Sequence, residues 1–138
     1  MCIEKVFYVA GNFAHQGACA SVRKYESIIL VPEPDNIHDS NAIKVSSKHG
    51  NKLGYVPASK CKGFHKLFST HPYHCARVRD VKGGRGSDYL PQIELYFAKS
   101  ESELPFPQQI KPQIRYSYWT GLLATIVLVL YFFLSHGN

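Results

Sequence analysis

Between Lys44 and Arg85 the chain carries ten basic residues and a single acid, Asp80. Lysine and arginine at that density can do the chemistry of phosphate contact. Lys44, Lys52, Arg77 and Arg79 are the candidates to converge on an anion if the fold brings them together. Upstream, Glu26 to Asp39 holds four acids and no base. The asymmetry suggests a positive face opposite a small acidic corner. Charge alone leaves nucleic acid, anionic lipid and acidic protein equally open as partners.

The other chemistry-bearing residues form no catalytic pattern. Lys82-Gly-Gly-Arg-Gly-Ser87 is glycine-rich, but it lacks the lysine-serine ending of a Walker loop and joins two expected strands rather than strand to helix. His71, His74 and Cys75, with Cys61 as a fourth ligand, are the weak candidate for zinc. None of the paired ligand spacings of zinc sites supports them, and no cofactor is expected. Cys2, Cys19, Cys61 and Cys75 are too sparse for a disulfide framework and read as reduced, mostly buried thiols. The expected role is non-catalytic.

The elements that must position these residues are mostly strands. Lys5–Ala10 is aromatic and β-branched and ends at Gly11-Asn12, so it reads as a first strand. Gly11 to Ser21 reads as a loop of small residues. Ser27–Val31 is a second strand, stopped by Pro32-Glu33-Pro34-Asp35-Asn36. Ala42–Ser46 and Lys52–Val56 flank Lys48-His49-Gly50-Asn51, a hairpin turn. Pro57-Ala58-Ser59 then opens a helix, with Ser59 as N-cap and Cys61, Phe64, Leu67 and Phe68 on one face. Cys75–Val81 and Tyr89–Phe97 are the last two strands, joined through a flexible glycine turn. Alternation selects Ile29, Ile43, Val45, Leu53, Val56, Phe64, Leu67, Val78, Ile93 and Leu95 for the core. The expected fold is mainly β with one or two helices, a small and strongly curved sheet or partly open barrel.

The most informative stretch is Val31-Pro-Glu-Pro-Asp-Asn-Ile-His-Asp-Ser-Asn-Ala-Ile-Lys-Val45, followed by Gly54-Tyr-Val-Pro57. Physically, Pro34 fixes the backbone as it leaves the strand, Asn36 and Asp39 can bond their own turn amides, and Asn41 can pin the returning strand. The pattern resembles the HIRAN domain family, over roughly residues 4–98. The resemblance implies an OB-like barrel and, by likeness to the modules of fork-remodelling translocases, binding of the free 3′ end of single-stranded DNA. On that likeness His38 would stack on the terminal base and Asp39 would accept the terminal hydroxyl. Tyr55 would stand beside the strand end, and Tyr89 near an aromatic contact before the last strand. One departure is plain. The loop after the first strand, Phe13-Ala-His-Gln-Gly-Ala-Cys-Ala-Ser, has no counterpart to the family's phosphate-contacting arginine. General binding of single-stranded nucleic acid through Lys44, Lys52, Arg77 and Arg79 does not depend on that contact.

Residues 1–98 therefore read as one HIRAN-like domain and 99–115 as a proline-containing linker. Residues 118–135 contain no charge, and eighteen helical residues extend about 27 Å, near the thickness of a bilayer core. With Tyr116 included as an interfacial residue, 116–135 is the expected transmembrane helix, and 136–138 a short tail. Lys111 and Arg115 on the domain side put the domain in the cytosol or nucleoplasm, with the ER or nuclear envelope favoured over the mitochondrial outer membrane. The alternative is a tail-anchored adaptor whose barrel groove binds a protein. Deleting 116–138 is expected to leave a soluble protein, and the full chain to resist carbonate extraction from membranes; a full chain that washes off has no such anchor.

Overall fold

The computed structural model describes residues 1–107. The expected transmembrane helix and residues 108–115 of the linker lie outside them. Among the described residues no helix is long and apolar enough to cross a membrane.

Six strands form one antiparallel sheet: β1 (Ile3–Tyr8), β2 (Ser27–Pro32), β3 (Ile43–Ser47), β4 (Lys52–Tyr55), β5 (Tyr73–Gly84) and β6 (Ser87–Ala98). Their spatial order is β1-β6-β5-β2-β3-β4. The sheet curls into a half-barrel until its two edges touch. There the Ala10 amide donates to the Tyr55 carbonyl and the Tyr55 amide to the Ala10 carbonyl, each at 2.8 Å. This meeting requires Gly54, whose φ is +146° and whose added Cβ would lie 2.3 Å from the Ala10 carbonyl oxygen. No side chain fits there.

Period-2 alternation puts Ile43, Val45, Leu53, Val56, Val78, Ile93 and Leu95 into the core, as expected. Ile29 is a correction. β2 pairs Leu30 with Val45 and Ile28 with Ser47, so Ile28 and Leu30 are the buried pair and Ile29 faces outward, half-buried. Helix α2 (Ala58–Thr70) buries Cys61 and Phe64, while Leu67 is half-buried against the core. The Phe64 ring meets Phe7 and Phe97 edge-on at 5.7 and 5.8 Å, which locks helix to sheet. Pro57, not Ser59, occupies the N-cap position, and no side chain caps the helix. Pro57 is still extended at ψ 133°, and its carbonyl accepts the first bond of the helix, from the Lys60 amide at 2.8 Å.

The segment expected as a loop before Ser21 is in fact ordered as a 3-10 turn at Asn12–His15 and a six-residue helix, α1 (Gln16–Ser21). Its helical pattern is too short to read from sequence. Burial of Cys19 against the Leu53 carbonyl holds it instead. The glycine turn of the last hairpin is likewise shorter than expected. β5 and β6 run on to Gly84 and Ser87, leaving only Arg85 and Gly86 between them, both with positive φ. That two-residue turn matches the twist of the strands it joins.

After β6 the chain turns through Glu101–Glu103 and lies back on the outer face of β5 and β6. Phe106 stacks over the Arg77 guanidinium at 4.4 Å and meets Tyr96 edge-on, and Glu103 pairs with the amino terminus at 3.0 Å.

Two glycine substitutions should act with opposite signs in urea unfolding. Gly54→Ala must adopt a positive φ and displace the closing carbonyl, and is expected to lose about 3 kcal/mol. Gly63→Ala, in an open position of α2 with nothing near its Cβ, should gain about 0.5–1 kcal/mol. A neutral Gly54→Ala would mean that the two sheet edges do not meet as described.

Candidate nucleic-acid interface

The residues with binding chemistry gather on the outward side of β3 and β4. Lys44 and Tyr55 are direct cross-strand partners, and a register shift between Val45 and Ser46 leaves Leu53 as the extra residue of a bulge. Lys52 and Tyr55 lie three positions apart and would point to opposite faces in a regular strand. The bulge turns Leu53 into the core and puts both on the same face. The Lys52 ammonium then sits 4.1 Å from the centre of the Tyr55 ring and donates to its hydroxyl at 2.8 Å.

The hydroxyl is the hub. It donates to Glu33 Oε2 at 3.0 Å and accepts from Asn36 Nδ2 at 3.3 Å. Glu33 also takes Asn36 Nδ2 at 3.1 Å and pairs with Lys44 at 3.2 Å. The Asn36 side chain together with Lys44 and Tyr55 holds the Glu33 carboxyl below the usual carboxylate range, Asn36 contributing most. Asn36 links this hub to the turn, because its Oδ1 accepts from the His38 and Asp39 amides at 3.0 and 3.2 Å. Asp39 in turn accepts from the Asn41 amide at 2.8 Å. These are the turn bonds the sequence suggested for Asn36 and Asp39. The pin on the returning strand is different: His65 Nε2 bonds the Asn41 carbonyl at 2.9 Å, and the Asn41 side chain has no hydrogen bond among those of the described residues.

The motif that runs through this hub decides the family. Residues 5–90 match the HIRAN domain model. This chain belongs to the HIRAN domain family. Its fold is similar to the crystal structure of the HIRAN domain of human HLTF, with 21% identity and a TM-score of 0.55 over 68% of this chain and 74% of that one. A Lactobacillus plantarum protein is similar at 19% identity and a TM-score of 0.54, over 69% of this chain and 96% of that one. No curated protein matches it.

Within the HIRAN fold the eight candidate residues fall into four places. Lys44, Lys52 and Tyr55 form the hub, and His38 and Asp39 sit on the turn that Asn36 ties to it. Tyr89 is held from the other side. Its amide donates to Gln16 Oε1 at 2.6 Å, and its carbonyl accepts from Asn12 Nδ2 and Gln16 Nε2 at 2.8 and 3.1 Å, while its ring lies over Gly84. Arg77 and Arg79 do not join them. They alternate with the buried Ala76 and Val78, and therefore face outward from β5. Arg77 pairs with Glu94 and lies between the Tyr25 and Phe106 rings; Arg79 pairs with Glu4 at 3.8 Å. In the circuit of the sheet, β5 and β6 lie across from β3 and β4.

Two members of the hub were visible in the sequence without being assigned to it. Glu33 stands in the motif, but an acid carries no signal for phosphate contact, and Asn36 carries the signal of turn architecture. A third omission is Phe13, 75% exposed on the 3-10 turn. The zinc candidates do not assemble: among the described residues no three His, Cys, Asp or Glu side chains are grouped to hold a metal. His74 packs edge-on to Phe68 at 4.8 Å, with burial pushing its pKa down, and burial pushes the Cys75 thiol up to about 11.

Glu33 gives the hub a pH signature. Its pKa is lower in the folded chain than in the unfolded one, so as pH falls the unfolded chain takes up the proton first. The carboxylate's stabilisation is complete above the ordinary value of about 4.5 and is lost as pH falls through the lowered one. Glu33→Gln should therefore be less stable than the parent at neutral pH and show a shallower acid limb in urea midpoints. Parallel acid limbs would mean that Glu33 is not held as described.

Proposed function

We propose that this HIRAN domain is a non-catalytic module that binds single-stranded nucleic acid on the β3–β4 wall, tethered to a membrane by the uncharged run 118–135. The observation that carries the reading is the convergence of Lys44, Lys52 and Tyr55 on one outward face, with Asn36 joining them to the His38–Asp39 turn. A lysine with spare donors supplies the phosphate contact, and exposed rings such as His38 and Phe13 supply stacking surface that any base can use. Asp39 bears on whether an end is read. A carboxylate repels phosphate and helps only by accepting from a terminal hydroxyl, and here one of its oxygens already serves the Asn41 amide. General backbone binding is therefore the main term, and reading of a 3′ hydroxyl an addition to it.

Anisotropy titrations of the full chain with labelled single-stranded DNA at two salt concentrations test this. Lys52→Ala is expected to weaken binding severalfold and to reduce the salt slope by about one unit. Arg79→Ala, on the far wall, should leave both unchanged. A folded chain that binds no strand at low salt would instead support the protein-adaptor reading, for which Ile37, 91% exposed beside the turn, is the natural anchor.

A further inference from the structure

Helix α2 has one face that neither the core nor the β3–β4 wall uses. Cys61, Phe64 and Phe68 turn toward the sheet, and His65 Nε2 bonds the Asn41 carbonyl. On the opposite side Ser59, Lys62, Lys66 and Ser69 recur three and four positions apart and form one exposed stripe. Three features of this side oppose the stability of the helix. α2 contains no acid, so Lys62 and Lys66 repel each other across one turn. Lys60 stands in the first turn, at the positive end of the helix dipole. Gly63 interrupts the helix where nothing lies within 4 Å of an added Cβ, so no packing requires it. Among the described residues none of the three lysines takes part in an ion pair. A surface held at a cost to its own helix points outward, to a ligand that removes the repulsion.

A polyanion is such a ligand, and the stripe narrows which one. It offers cations and hydroxyls but no ring: the exposed large apolar side chains, Phe13, Tyr25, Ile37 and Tyr73 among them, lie on other elements. Single strands draw on aromatic stacking, whereas a duplex keeps its bases stacked and presents phosphate. Lipid headgroups are the other candidate, but the described chain leaves from the far side of the sheet. Phe68 of α2 packs on Phe97, while Phe106 packs on Tyr96, the neighbour that faces the other way. A bilayer entered by the uncharged run 118–135 would meet that side and not α2. We propose that the Lys62–Lys66 face of α2 is a second binding surface, for the phosphate backbone of double-stranded nucleic acid. It uses no base contact, no free strand end and no part of the β3–β4 wall.

Titrations of the full chain with a labelled blunt duplex, 3′-phosphorylated on both strands, separate this surface from the wall. The parent should bind the duplex at low salt. Lys62→Gln combined with Lys66→Gln should weaken that binding roughly tenfold and lower the salt slope by nearly two units, at ~0.9 per contact. Its thermal stability should hold or rise, because a like-charge pair is gone. Lys62→Arg combined with Lys66→Arg keeps both charges and should stay near the parent, and Lys52→Ala should leave duplex binding unchanged. A parent that ignores the duplex, or a double Gln variant that binds it equally well, would overturn the proposal and leave the single-strand reading standing. A double Gln variant that keeps the duplex but loses affinity for phosphatidylserine vesicles would overturn it in favour of a lipid surface.

Discussion

The two hydrogen bonds between Ala10 and Tyr55 are the constraint on which the rest depends. An open six-stranded sheet has two unpaired edges, here β1 and β4, and each would expose a row of amides and carbonyls. Curling brings the edges together at one residue pair, and the cost is a position where no Cβ fits, Gly54. The closure reaches beyond the sheet. It places Gly11 against the Tyr55 ring, so the segment that follows, with Asn12 and Gln16 bonded to the Tyr89 backbone, is fixed relative to the hub. Site and closure share one residue: the Tyr55 backbone shuts the barrel while its hydroxyl organises Lys52, Glu33 and Asn36.

The bulge at Leu53 solves a second problem. A four-residue strand has too few side chains to fill a core and build a site under strict alternation. One extra residue lets β4 give Leu53 to the core and both Lys52 and Tyr55 to the surface. Val45, opposite Gly54, is fully buried, and Lys44, opposite Tyr55, is not. Core packing thus fixes the register that aims the polar side chains, and a slip by one residue would exchange the two sets.

Much of this could be read from the sequence, because it rests on local rules. Alternation located the six strands, turn chemistry located the Lys48–Asn51 hairpin and the Asn36–Asp39 turn, and the motif around them identified the family. What could not be read is set by tertiary contact. α1 is only six residues long, and its burial follows from Cys19 meeting Leu53 across the fold, not from any periodic pattern. Ile28 and Ile29 are chemically alike, and only pairing with β3 shows which faces inward. Glu33 carries no such signal, because its role comes from partners that only the fold assembles around it: Asn36 in its own turn, Lys44 on β3 and Tyr55 on β4.

The same distinction governs charge. Ten bases between Lys44 and Arg85 suggest one positive face, yet the fold disperses them. Lys60, Lys62 and Lys66 lie on the exposed side of α2. Arg77 and Arg79 are spent on Glu94 and Glu4 across the barrel, and Lys44 on Glu33. A net charge of +6 still attracts a polyanion from a distance. Within contact range, screening and pairing leave each location to its own few groups. Specificity in such a protein cannot come from the number of its lysines. It has to come from the few that the fold leaves unpaired beside an aromatic ring, and on the β3–β4 wall that residue is Lys52.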